Sequence, residues 1–128
     1  MEGIENIEVT AEQVIPPTVV HPFGETEIEA HAAKCGGRRN LREIPITTDD
    51  NEQFVYLVKK PTRAVMQALA EEENKGDKKN VTNIQKLMLG CVLEGDREAY
   101  EYDGAIYSQL LKSIGSLVKT AQSDIKKI

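Results

Sequence analysis

A chain of 128 residues with two histidines and two cysteines offers few starting points for chemistry. His31 and Cys35 stand four apart, a spacing that puts both side chains on one face of a helix. They could give a metal two ligands, but a structural zinc site takes four. No Cys-x-x-Cys or His-x-x-x-His supplies the rest. The acidic run Asp49-Asp50-Asn51-Glu52 has the composition of a calcium loop without its alternating ligand positions or its distant glutamate. It reads as a solvated turn. Nucleophilic catalysis needs a hydroxyl or thiol beside a base. His21 and His31 both lie in the first quarter of the chain, and no Gly-x-Ser-x-Gly occurs. Glu94, Asp96 and Glu98 have the right groups for acid–base work, yet they fall in a glycine-containing connection where solvated charge is the default. Gly36-Gly37 precedes Arg38-Arg39, but no Gly-x-x-x-x-Gly-Lys phosphate loop is present. The expectation is a non-enzyme with no metal and no cofactor.

The basic residues form two clusters, Lys34/Arg38/Arg39/Arg42 and Lys59/Lys60/Arg63. A hairpin that joined them would make a local positive patch. Nucleic-acid-binding domains are strongly basic overall, whereas this chain carries a net charge of −5. An acidic partner, or the chain's own acid residues, is the expected counterpart. The first 30 residues contain seven glutamates and no Lys or Arg, so the negative charge is an N-terminal property. The start, Met1-Glu-Gly-Ile-Glu-Asn, lacks the basic and apolar regions of a signal peptide. No window approaches the roughly 18 apolar residues of a membrane span. A cytoplasmic protein without a disulfide is expected, with Cys91 buried as a small hydrophobe and Cys35 partly exposed.

The elements that position these residues follow from periodicity. Residues 1–24 read as an acidic arm, extended or disordered, because Pro16, Pro17 and Pro22 break any helix. Val19, Val20 and Phe23 make it more apolar than a solvated tail requires. It is therefore either a loosely draped tail or a segment that binds a groove or sheet edge. Residues 25–128 read as one small domain. A short helix over 26–35 is capped by Thr26 with Glu29 and stopped at Gly36-Gly37. A β-hairpin follows over 42–48 and 53–59, with turn chemistry between. Its second strand is apolar on both faces, so it is covered on both sides or paired with a neighbouring chain. Three helices come next. The first is capped by Thr62 and carries Ala64, Val65, Met66, Leu69 and Ala70. The second runs from Asn80 and carries Val81, Ile84, Leu87, Met88, Cys91 and Val92. The third runs from Gly104 to the end, with Val118, Ala121 and Ile125 in its stripe. Gly115, inside it, marks a close helix crossing. The fold class is α+β and helix-rich, and removal of residues 1–24 is expected to leave it intact.

The segment Phe54-Val-Tyr-Leu-Val-Lys-Lys-Pro-Thr-Arg-Ala-Val-Met resembles a pattern of small proteins from tailed-phage and prophage structural clusters. In these an aromatic strand passes through a basic-basic-Pro-Thr/Ser-Arg step into a helix. Glu27-Ile-Glu-Ala followed by Lys34-Cys-Gly-Gly looks like their short helix and glycine turn, without the aromatic residues expected in it. Leu87-Met-Leu-Gly-Cys-Val-Leu-Glu-Gly-Asp looks like their apolar helix ending in Gly-Asp. The resemblance covers about residues 25–128 and is to tail assembly chaperones. It implies a non-enzymatic role in virion morphogenesis, shielding tape-measure or tail-tube subunits in the host cytoplasm. A homo-oligomer is compatible with it. The alternative is a virion component such as a head–tail connector or capsid-associated subunit, and after that a small nucleic-acid-binding regulator. Phe54, Tyr56, Val58, Lys59, Lys60 and Arg63, with Val19, Val20 and Phe23 of the arm, are the expected partner-binding residues.

Overall fold

The computed structural model describes residues 15–128. Its centre is the hairpin. Strands β2 (Leu41–Thr47) and β3 (Glu52–Lys59) run antiparallel, Leu41 opposite Lys59 and Thr47 opposite Gln53. β-branched and aromatic side chains suit such a pleated surface. The turn closes with Thr48 N donating to Glu52 O at 2.8 Å. Asn51 takes φ 59°, a left-handed conformation that asparagine tolerates better than most residues.

β3 is the centre of the sheet. β2 occupies one edge, and two short strands share the other end to end. β1 (Thr18–Val20) lies parallel beside Glu52–Phe54. β4 (Val92–Glu94) lies antiparallel beside Leu57 and Val58, with an irregularity between them. This explains the two apolar faces of β3: both are covered within the chain. On one face Tyr56 and Val58 join Ile44 and Ile46 of β2 under Tyr100, Ile106, Leu110 and Ile114. These last four come from α4 (Arg97–Tyr102) and α5 (Gly104–Leu117). On the other face Val55, Leu57 and Leu41 pack against Ile28 and Ala32 of α1 (Glu25–Lys34) and against Phe23. Helices α2 (Arg63–Glu73) and α3 (Val81–Leu89) pack on each other across a short 3-10 turn, with α3 lying on α5. Gly115 marks that crossing. A methyl placed there would come within 3.3 Å of Met88 Cε. The α+β, helix-rich class is as the sequence indicates.

Several expected boundaries move. Residues 18–23 belong to the folded unit, because β1 extends the sheet and Phe23 is 5% exposed. The expected acidic arm shortens to residues before β1, and residues 1–14 of it lie outside the described residues. α1 is capped by Gly24 rather than Thr26, and no side chain bonds its first amides. α3 stops at Leu89. Cys91 and Val92 turn into the sheet instead, where the free half-edge of β3 takes Lys59 N to Cys91 O at 2.9 Å. The connection that follows is more ordered than solvated charge. Asp96 caps α4 through Ala99 N, and Asp103 caps α5 through Ala105 N. The last helix ends at Leu117, short of the chain end. Its apolar stripe continues through Ala121 and Ile125, but Ile125 is 95% exposed. A helical extension with nothing to pack on does not offset the entropy of ordering it.

Candidate functional site

The residues expected to bind a partner separate into three groups. Tyr56 and Val58 are fully buried, Phe23 is nearly so, and Phe54 is packed against the core. As folded, Tyr56, Val58 and Phe23 present no side-chain surface to a partner, because the helices and α1 already cover both faces of β3. Val20 is half-buried, and Val19 is 53% exposed on β1. Lys59 and Lys60 form the third group, half-buried at the end of β3, with Arg63 exposed one step beyond at the start of α2.

Lys59 and Lys60 do not stand on a flat rim. With Lys34, Cys35, Asn40, Pro61 and Thr62 they line a cleft of about 320 Å³. The local sequence builds it. α1 ends at Lys34, and Gly36 (φ 79°) and Gly37 (φ 112°) reverse the chain in a conformation L side chains rarely adopt. Asn40 Nδ2 donates to Cys35 O at 2.7 Å, and Lys60 N donates to Asn40 O at 2.8 Å. Thr62 Oγ1 accepts from Val65 N at 3.3 Å, the cap expected from the sequence. Fixed backbone therefore brings three lysines, from two chain segments 25 residues apart, to one concavity. Of the first basic cluster only Lys34, at the end of α1 and not on the hairpin, lines this cleft with Lys59 and Lys60 of the second. Arg42 donates to the carbonyls of Arg39 and Leu41. Arg38 is held by Glu25 at 2.7 Å and Glu29 at 2.8 Å, and it keeps the Glu25 carboxyl below the usual carboxylate range.

Convergence of unpaired lysines distinguishes the cleft. Lys75 bonds Glu72 at 2.9 Å and Lys79 bonds Glu73 at 3.3 Å. Among the described residues no carboxylate lies within ion-pair distance of Lys34, Lys59, Lys60 or Arg63. Like charges converging on a concavity raise its positive potential and attract anions. The cleft is thus suited to holding carboxylates. Lys34, Cys35 and Asn40 were not among the expected partner residues. The signal for Lys34 was its place in the first basic cluster, which lacked a partner until the chain folded.

The histidines have structural roles. His31 Nε2 donates to Glu94 Oε2 at 2.7 Å, joining α1 to β4 rather than facing a metal with Cys35. His21 Nδ1 donates to Phe23 O at 2.8 Å, and its ring lies 4.2 Å from that of Phe23. Among the described residues no three His, Cys, Asp or Glu side chains are grouped to hold a metal. Cys35 and Cys91 are free thiols; burial pushes the Cys91 thiol up. No helix among the described residues is long and apolar enough to cross a membrane.

Comparison with protein-family models, with curated proteins and with solved structures returns no match for this chain.

Proposed function

We propose that this protein is a binding module that acts by protein–protein contact, a tail assembly chaperone of phage or prophage type, and that its working surface is the basic cleft. The observation that carries the reading is the set of three lysines, Lys34, Lys59 and Lys60, turned onto one cleft without a carboxylate partner among the described residues. Two of them belong to the Lys59-Lys60-Pro61-Thr62-Arg63 step on which the resemblance rests. Unpaired lysines at a cleft of this kind steer an acidic client toward the surface and weaken their hold as salt rises. The neighbouring Pro61 and Thr62 fix the strand-to-helix corner and so fix the spacing of the charges. The clients under this reading are tape-measure or tail-tube subunits held before the tail polymerises.

The test is affinity capture from phage-producing cells with the natural chain and with the K34E/K59E/K60E variant. The natural chain should retain a tape-measure or tail-tube protein, and the variant should release it. Absence of any tail protein from the natural-chain capture would sink the proposal. Retention by both chains would move the working surface elsewhere.

A further inference from the structure

The cleft has a candidate occupant in its own chain. Residues 1–14 lie outside the described structure and include Glu2, Glu5, Glu8 and Glu12 with no Lys or Arg. They precede Ile15, whose carbonyl accepts from Asn51 Nδ2 at 3.1 Å. The segment therefore departs from the turn end of the hairpin, and the cleft lies at the opposite end of β3. From Glu52 to Lys59 the strand rises seven residues, about 23 Å at roughly 3.3 Å per residue. An extended segment covers that distance in about seven residues. Glu2 and Glu5 reach with slack, Glu8 reaches at full stretch, and Glu12 falls short.

Charge selects the destination. Lys75, Lys79 and Arg38 already hold glutamates, and other bases unpaired among the described residues, such as Arg39, Lys78, Lys86 and Lys112, stand without two further bases on a shared cleft, so convergence makes the choice. Lys34, Lys59 and Lys60 converge on one concavity with no carboxylate of the described residues beside them. We infer that the glutamates of residues 1–8 dock in the Lys34/Lys59/Lys60 cleft of the same chain, so that an acidic client must displace the chain's own segment. This goes beyond the proposed function: it assigns the cleft an internal competitor, and it holds or fails whatever the client is.

Zero-length carbodiimide coupling tests it on the full chain. The reagent activates a glutamate carboxyl, a touching lysine amine attacks, and an amide remains as the urea leaves. An equal mixture of ¹⁵N-labelled and unlabelled protein separates links within a chain from links between chains. Glu2 or Glu5 should couple to Lys34, Lys59 or Lys60 within one isotope population. These links should fall several-fold in 1 M salt, where the Debye length drops to about 3 Å. They should vanish in K59E/K60E protein whose circular dichroism matches the natural chain. Links spread evenly over Lys78, Lys112, Lys119, Lys126 and Lys127, links only between isotope populations, or no links at all would each overturn the inference. Capture of a tail protein without these links rejects the internal competitor alone. These links without a tail protein reject the proposed function alone.

Discussion

Gly95 and Tyr56 show how closely single residues are fitted here. The Tyr56 ring is fully buried against Gly95, and its hydroxyl donates to Asp96 O at 2.7 Å. Gly95 has φ 137°, and a methyl added to it would run into the ring. Gly95→Ala therefore combines backbone strain with a clash against an immobile side chain, and should cost about 3 kcal/mol or more in urea unfolding. Gly104 is the opposite case. It opens α5 with open space around it, so Gly104→Ala should be neutral or stabilising by up to about 1 kcal/mol. Equal effects at the two positions would contradict this account. Burial also pushes the Tyr56 phenol from 10.0 up to about 12. A raised pKa means that the folded state holds the proton more tightly. Its contribution to stability is present below pH 10 and is lost as pH rises through about 12. Tyr56→Phe should lower stability by about 1 kcal/mol at neutral pH and flatten this alkaline decline, read from urea midpoints at a series of pH values. The caps at Thr62 and Gly36-Gly37 were legible in the sequence, because cap chemistry is local. The burial of Tyr56 against Gly95 was not, because it depends on two positions 39 apart meeting in space.

At the scale of elements, the α2–α3 pair is tied by a buried carboxylate. Glu72 is 6% exposed, accepts from Lys75 Nζ at 2.9 Å and from Asn80 N at 2.6 Å, and so ties the end of α2 to the start of α3. Both bonds favour the charged form and hold its carboxyl below 4.5. The stabilisation is therefore present above the ordinary carboxylate range and fades as pH falls through the lowered value. Glu72→Ala should speed amide exchange across residues 74–84 and leave the amides of β3 protected. Equal acceleration in β3 would show that the tie serves the whole fold. The hairpin was readable almost to the residue, since alternation and turn chemistry are contiguous. β1 and β4 were not. Three residues carry too little pattern to declare a strand, and both exist because β3 offers an edge. The longer helix expected at 80–92 fails for the same reason: Cys91 and Val92 do satisfy a helical stripe, but the sheet edge offers them a backbone partner as well as a core.

For the whole molecule, the division into arm and domain now falls before β1. A chain lacking residues 1–14 should melt close to the natural one. A chain lacking 1–24 loses β1 and the buried Phe23 and should melt many degrees lower. Phe23→Ala alone should cost about 3 kcal/mol. Matching melting curves for the two truncations would restore the boundary at residue 24. The positive cleft was half legible, because Lys59, Lys60 and Arg63 are adjacent in sequence, whereas Lys34 arrives through the fold. The same overall view gives β2 a further meaning. Thr48 N bonds Glu52 O and Lys60 N bonds Asn40 O, so alternate residues between them, Pro45 included, turn their backbone away from β3. At that outward position Pro45 offers no amide, and Arg42 already occupies the carbonyl of Leu41. The exposed margin of the sheet is thereby a poor template for another strand. Replacing Pro45 with threonine would restore the missing donor and give concentrated protein a path to edge-on stacking, visible as thioflavin-positive fibres that the natural chain does not form.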